Sequence, residues 1–355
     1  MKGWALLCAL LLAGCRGAAQ SVLEPAGPSA ARIHALWNVF LAICTGVFVL
    51  VVVTMLLAVL RRRVDPEIGS SPPEVDAEAL LPKEKRAHLH AKAVEPATER
   101  RLAQWVATAA ALTVVLLLVL LVTNTLTGKA LAALRSEHAL EVEVVGHQWW
   151  WEFKYRDPEP SRLLNTANEL HIPVGRPVAL KLTSRDVIHS FWVPNLAGKR
   201  DLIPGQENTL LLQADKPGVY RGLCAEFCGH QHAKMAFLVV AEPPEAFEKW
   251  REHQLQPAAP PMELLTQRGQ QVFLTGPCVL CHAIQGTSAS ATVGPNLTHL
   301  ASRQTLAAAT LPNVRGHLAG WILNSQSLKP GNKMPPITLP PEDLHALLAY
   351  LESLK

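Results

Sequence analysis

The sequence predicts a multidomain membrane protein: a two-helix transmembrane hairpin, a small β-barrel or sandwich, and a C-terminal all-α domain. Three observations carry this. Leu36–Leu60 and Trp105–Leu126 are apolar runs without a single charge. Residues 138–241 break into short alternating stretches separated by glycine and proline turns. From Met262 onward apolar residues recur at helical spacing. Of 355 residues, 49% are hydrophobic and 17% charged, which leans toward a membrane protein. Net charge is only +4, with 11 Lys/Arg against 11 Asp/Glu over Leu140–Val240 and 6 against 4 over Met262–Lys355. There is no basic field of the kind that binds nucleic acid.

Taken in order, residues 1–15 read as a signal peptide: Lys2, a Leu/Ala run, then small residues. Leu12-Ala13-Gly14-Cys15 resembles a lipobox, with an ordinary signal peptide and a chance cysteine as the alternative. The runs 36–60 and 105–126 each exceed the ~20 residues that cross ~30 Å of hydrocarbon, so both are expected as transmembrane helices. Trp37 and Trp105 lie at span ends, where indole prefers the interface. Arg61-Arg62-Arg63 and Arg100-Arg101 flank the connecting segment, so the positive-inside rule places the 61–104 loop in the cytoplasm. Everything after Thr127 then faces outward. The loop is rich in Pro, Glu and Lys, has no apolar period and is expected to be loosely ordered.

Leu140–Val145 and Val178–Thr183 alternate apolar and polar residues, and Thr209–Gln213 is a compact run. Pro173-Val174-Gly175, Pro204-Gly205 and Lys216-Pro217-Gly218 supply turns, so 138–241 is expected to close on itself as short strands. Residues 242–261 carry paired prolines around a short helical piece, Glu245–His253, and read as a semi-rigid linker. In 262–355, Glu263–Leu274 forms a first helix with Gly269 and Phe273 four apart. Pro341-Glu342-Asp343 opens the last helix, whose stripe is Leu344, Leu347, Leu348, Leu351 and Leu354.

Two constellations carry chemistry. Cys224-x-Glu226-x-Cys228-x-x-x-His232-x-x-Met235 gathers two thiolates, an imidazole and a thioether, and soft sulfur with imidazole selects copper or zinc. His189, at the end of an expected strand, is the candidate second imidazole. Two thiolates can bridge two copper ions, one histidine to each, with Met235 weak on one copper and the Glu226 carbonyl on the other. A structural Cys₂His₂ zinc site is the alternative, although zinc has no use for Met235. Cys278-Val279-Leu280-Cys281-His282 is C-x-x-C-H, the attachment signature of c-type haem. Two thioether bonds and one axial imidazole leave a sixth ligand to be found downstream, and Met334 is the candidate. Thioether ligation suits electron transfer rather than oxygen binding. Two disulfides are the alternative for the four cysteines. His147, His171 and His230 read as ordinary strand or loop residues.

Leu36 to about His253 resembles subunit II of haem–copper cytochrome c oxidases, with two spans before a cupredoxin-like Greek-key β-barrel. Four segments carry the likeness: Gly146–Trp151, Asp186–Pro194, Lys199–Gly205 and Cys224–Met235. Residues 262–355 resemble the all-α cytochrome c fold. There Gly294-Pro295-Asn296-Leu297 matches the loop whose proline carbonyl holds the axial histidine. The resemblance implies a dinuclear CuA centre on His189, Cys224, Glu226 (carbonyl), Cys228, His232 and Met235. It implies a covalent haem c on Cys278, Cys281, His282 and Met334, electron entry at Trp149, and a magnesium ion touched by the Glu226 side chain at the subunit I interface. An undistinguished strand is the alternative for Trp149–Trp151.

The implied protein is subunit II of a caa-type oxidase, a proton-translocating terminal oxidase of the bacterial cytoplasmic membrane. Its CuA and haem domains would lie on the outer, periplasmic face. The implied partners are subunit I with haem a and CuB, subunit III, and a cytochrome c or quinol-oxidising complex as donor; oxygen chemistry belongs to subunit I. Two departures stand out: Trp150 replaces the usual tyrosine, and Leu102 occupies the place of a glutamate used for proton entry. The runner-up functions are the CuA-containing small subunit of a nitric oxide reductase and a membrane-tethered copper carrier.

Overall fold

The computed structural model describes residues 20–61, 96–133 and 139–355. The signal segment with Cys8 and Cys15, residues 62–95 of the 61–104 loop, and His138 lie outside the described residues. The helices α1 (Pro28–Arg61) and α2 (Pro96–Ala132) are each longer than the apolar runs that predict them. The flanking residues carry no proline inside either helix, proline standing only at the first position of each, so the helices run on past the apolar stretches. Both apolar windows are wholly unburied by protein, as lipid-facing helices should be. Residues Ala35–Ala130 make one unit, and the segment up to His34 together with Leu131–Lys355 makes another.

The second unit begins with a cupredoxin-like β-sandwich. Its strands are β1 (Leu140–His147), β2 (Trp150–Tyr155), β3 (Leu164–Ala167), β4 (Glu169–Pro173), β5 (Val178–Ser184), β6 (His189–Trp192), β7 (Arg200–Leu202), β8 (Asn208–Leu212), β9 (Gly218–Cys224) and β10 (Ala236–Glu242). They form two five-stranded sheets, ordered β3-β2-β1-β5-β8 and β4-β10-β9-β6-β7. The alternation in β5 becomes a strict buried/half-buried alternation in space, which fixes its register. The two parallel pairs, β1 with β5 and β4 with β10, tie strands far apart in sequence and bring both halves over one core. At its centre Trp151 meets Phe237 at 5.0 Å and Phe191 at 5.9 Å, edge to face. Such pairs add about 0.5–1.5 kcal/mol each beyond burial.

The stretch 242–261 is more than a linker. It contains α3 (Pro244–Gln254), and Phe247 on that helix is fully buried in the sandwich core. Trp250 stacks on His171 at 4.1 Å, and His171 Nδ1 lies 2.9 Å from Glu242. Only residues 255–263 then connect the sandwich to the next helix.

The C-terminal domain packs α4 (Leu264–Thr275), α5 (Arg315–Leu328) and α6 (Pro341–Ser353) around its own core, with a two-residue pairing of β11 (Thr305–Leu306) and β12 (Leu311–Pro312) beside them. A Cβ on Gly269 would sit 2.0 Å from the Ala346 carbonyl oxygen, so only glycine lets α4 cross α6 this closely. Leu347, Leu348, Leu351 and Leu354 of the expected stripe are buried, and Leu344 packs at its margin.

Candidate metal centre and haem cavity

The register of β6 against β9 brings His189 to the end of β9, where Cys224 opens the loop. The loop folds back through a 3₁₀ turn, His232–Lys234, so that Met235 returns at the start of β10. Backbone pairing closes it, because Cys224 N–H donates to the Met235 carbonyl at 3.0 Å. Six donor atoms converge as a result. Cys224 Sγ lies 3.8 Å from Cys228 Sγ, 3.8 Å from His189 Nδ1 and 3.2 Å from the Glu226 carbonyl oxygen. Cys228 Sγ lies 3.7 Å from His232 Nδ1 and 3.8 Å from Met235 Sδ. A disulfide needs about 2.05 Å, so the cysteines are unbonded thiols.

The electrostatics favour a cation. The Cys228 thiol beside Cys224 holds that thiol down, to about 3, while Cys228 itself is pushed up by the same neighbour. Two thiolates this close require positive charge between them. Burial works against charge on His189, yet Asp186 raises it and fixes the ring, with Oδ1 2.9 Å from Nε2. Nδ1 is thereby turned toward sulfur. Asp186 is held below the usual carboxylate range despite its burial by His189 and by the N–H groups of Gln148 and Val187. Asp186 stands three residues before His189, yet no donor spacing in the sequence marks it. The Glu226 side chain is exposed, and only its carbonyl faces the sulfurs.

The haem motif sits on a 3₁₀ turn, Pro277–Leu280, directly after α4. Cys278, Cys281, His282 and Met334 line one cavity of about 690 Å³, within the range of roughly 300–1,000 Å³ that holds cofactor-sized ligands. The Pro295 carbonyl accepts from His282 Nδ1 at 2.7 Å, leaving Nε2 for a metal. Burial, with Arg303 adding to it, pulls His282 down, so its ring is neutral and able to coordinate. A Cβ on Gly294 would lie 2.7 Å from the His282 ring, so a larger residue would displace it. The Met334 loop is anchored by its backbone: Ser325 Oγ and Gln326 Nε2 donate to the Met334 carbonyl at 2.6 and 2.9 Å. Arg303, also on the cavity wall, has a buried Nε without a partner among the described residues, and burial lowers it to about 10. A flat anionic group carrying two vinyl arms fits these donors: two free thiols, one neutral imidazole, one thioether and a guanidinium whose terminal nitrogen donates to the Asn296 carbonyl while its Nε is left over.

The sandwich forms the opposite wall of the same cavity. His147, stacked on Trp150 at 4.2 Å, faces it with Trp149, Asn165 and Asn168. Trp149 Nε1 and Gln148 Nε2 both donate to the Cys228 carbonyl at 2.9 Å. Trp149 therefore touches the copper loop on one side and the haem cavity on the other. His230 meets Trp149 edge-on at 6.4 Å and His171 belongs to the α3 contact, so neither joins the donor cluster.

Comparison with known proteins agrees with both halves. Residues 157–242 match the family described as cytochrome c oxidase subunit II, periplasmic domain, and residues 266–355 match cytochrome c. The chain is 40% identical over 248 residues to cytochrome c oxidase subunit 2 of Alkalihalophilus pseudofirmus, covering 68% of this chain and 70% of that one. The chain belongs to the cytochrome c oxidase subunit II family. The same-named protein of Bacillus sp. strain PS3 is 33% identical over 262 residues, covering 68% and 72%. Among solved structures, the periplasmic domain of subunit II of cytochrome oxidase (CoxB) of Bradyrhizobium japonicum is 29% identical, covering 32% of this chain and 92% of that one, with a TM-score of 0.31. As a member of this family the protein is an oxidase subunit that carries a copper-binding domain and a cytochrome c domain, associates with subunit I, and is anchored by two apolar helices.

Proposed function

We propose that this chain is subunit II of a caa-type oxidase, taking electrons at a covalent haem c and delivering them through a dinuclear copper centre to the subunit that reduces oxygen. The observation that carries the reading is the convergence of two imidazole nitrogens, a thioether and a carbonyl, each within 3.2–3.8 Å of one of two adjacent thiols, beside a cavity walled by C-x-x-C-H. Cys224, Cys228, His189, His232, Met235 and the Glu226 carbonyl would hold the copper pair. Cys278 and Cys281 would hold the porphyrin covalently, and His282 and Met334 would ligate its iron. When bound, these groups supply one-electron chemistry.

The protein's own residues do the rest. Asp186 orients His189, Pro295 orients His282, and the burial of Cys224, Cys228 and Met235 keeps water from the sulfurs. A rigid, pre-folded donor set changes little when charge arrives, which favours fast transfer. Trp149 would conduct between the haem cavity and the Cys228 backbone. The exposed Glu226 side chain is available to a magnesium ion at the subunit I interface.

The arginines around residues 61–63 and 100–101 support an outer, periplasmic position for both soluble domains in a bacterial cytoplasmic membrane. Association with subunit III, and donation by a cytochrome c or a quinol-oxidising complex, belong to the same reading, as does proton translocation by the complex. Leu102 offers no carboxyl for proton entry, so uptake through this chain is not part of the proposal. The domain limits follow: spans 36–60 and 105–126, copper domain 138–241, cytochrome domain 262–355.

Metal analysis of the matured chain tests the reading. It should return two coppers and one haem per chain, with a seven-line copper EPR signal. Zinc, an empty copper site, or a disulfide between Cys278 and Cys281 would overturn it.

A further inference from the structure

The two soluble domains meet through a seat built from unusual parts. Ala307, Ala308 and Ala309 all have left-handed backbones, with φ of 53°, 58° and 53°. L-residues other than glycine, Asn and Asp seldom enter this region, and three in succession persist only where the surroundings impose them. The turn closes through Thr310 N–H on the Leu306 carbonyl at 3.1 Å. Its three carbonyls all point to partners. Ala308 accepts from the Ala236 N–H of β10 at 3.3 Å, and Ala309 accepts from Arg221 of β9 at 2.9 Å. Ala307 accepts from Lys329 Nζ at 3.0 Å, and the same ammonium donates to the Lys234 carbonyl in the copper loop at 2.8 Å. Ala309 is buried against Ala236 and Leu238.

One strand away, Glu169 of β4 is 2% exposed, and its Oε1 accepts from Gln304 N–H at 2.8 Å, Thr305 N–H at 2.9 Å and Thr305 Oγ1 at 3.2 Å. Arg303 supplies it with opposite charge. Thus each domain sends a buried charged side chain onto the backbone of the other, and the segment they grip, 303–308, is a wall of the haem cavity. The segment after α5 also rests on the copper loop, with Gln231 Nε2 donating to the Pro330 carbonyl at 2.5 Å and Lys234 Nζ to the Leu328 carbonyl at 2.8 Å.

We propose that Glu169 and the left-handed turn Ala307–Ala309 are a latch that holds the cytochrome domain in one fixed seat on the copper domain, so that they act as positioning residues for transfer between the two centres. The connecting segment 255–263 is then a covalent tie between docked bodies, not a tether for a shuttling one. The inference rests on the reading of the two sites as redox centres, but its structural part can be tested without metals.

Hydrogen exchange on the full-length chain in detergent reads the latch directly. The amides of Gln304, Thr305 and Ala236 should exchange about 100-fold or more slowly than exposed loop amides. Glu169→Leu should accelerate the first two by about tenfold or more while amides inside β1 and β5 stay slow. Ala308→Gly, which has no objection to this backbone, should preserve protection at Ala236, whereas Ala308→Val, β-branched at positive φ, should lose it. Glu169→Gln keeps an acceptor and covers the case in which the leucine variant does not fold.

On the loaded chain, the rate at which a photoinjected electron redistributes between the haem and copper absorptions should be independent of solvent viscosity. In Glu169→Leu it should fall about tenfold and become viscosity-dependent, which a merely destabilised domain would not show. Wild-type amides exchanging as fast as exposed loops, or a viscosity-dependent wild-type rate, would overturn the latch. Protected amides in a chain that binds no copper would leave the latch standing and remove the proposed function instead.

Discussion

The copper loop and the haem cavity are built on opposite plans. At the copper loop the donors are already in place: sulfurs, ring nitrogens and a carbonyl lie 3.2–3.8 Å apart, held by strand register and by Asp186. The loop's sulfurs, on Cys224, Cys228 and Met235, are buried at the end of the sandwich core and are part of it. At the haem cavity the donors line a space of about 690 Å³ between the helical domain and the sandwich, with Phe273, Leu347 and Leu351 on the helical side. Metal can be added to a sandwich that is already folded. A macrocycle is a large part of the core it enters, so its loss removes packing from every helix that touches it.

The strongest way to break this comparison is to remove each cofactor in turn. Cys278→Ala with Cys281→Ala should abolish covalent haem entirely and erase slow hydrogen exchange across α4, α5 and α6. Cys224→Ser with Cys228→Ser should abolish copper while β1, β2 and β5 stay protected. Equal loss of protection in both domains, in either variant, would sink the distinction.

A second test stays within the cytochrome domain. Gly269→Leu must force α4 from α6, since even a Cβ would lie 2.0 Å from the Ala346 carbonyl. Overpacking of this kind costs about 3 kcal/mol. Calorimetry should show the cytochrome transition lowered by that amount and the sandwich transition unmoved.

The copper loop can be probed more gently. Asp186→Asn keeps a hydrogen-bond acceptor beside His189 Nε2 but removes the charge that fixes the ring. Copper affinity should drop by about 10–100-fold, the usual weight of a group that orients a ligand. At saturating copper the EPR line pattern should survive. If affinity is unchanged, the site is preassembled by its backbone alone.

How much of this was legible in the sequence follows the same divide. Local patterns announced themselves: the apolar spans, the strict alternation of Val178–Ser184, the stripe of the last helix, and both donor motifs. Every donor expected at the copper site lies in one cluster, and every donor expected at the haem lines one cavity. What remained hidden depends on distant pairing. Phe247 and Trp250 are the only two large apolar residues in a short, charged, proline-flanked helix, too few to reveal a buried face. Glu169 looks like any polar strand residue until Gln304, 135 positions later, meets it. Three alanines give no hint of left-handed backbones, because glycine, Asn and Asp are the residues that ordinarily mark one.

The smallest effect expected is at Tyr155, where the sandwich core meets α3. Its hydroxyl donates to the His171 carbonyl at 2.7 Å and accepts from the His171 N–H at 2.8 Å. Its ring lies 5.4 Å from Trp250. Tyr155→Phe should cost the sandwich about 1–2 kcal/mol at neutral pH, since it leaves buried backbone groups unpaired. Burial pushes the Tyr155 hydroxyl well above the ordinary tyrosine value. Unfolded, it loses its proton near pH 10; folded, it retains it. Above pH 10 the unfolded chain is therefore favoured by about 1.4 kcal/mol for each further pH unit. Phenylalanine cannot titrate, so the variant should escape this term. The stability gap between wild type and variant, measured by calorimetry from pH 9 to 11, should narrow as pH rises. Tyr220 and Tyr350, also raised by burial, are present in both proteins and cancel in the difference. A gap that stays constant would mean that Tyr155 is not sealed beneath α3, and that the segment after the sandwich is only the semi-rigid linker its prolines first imply.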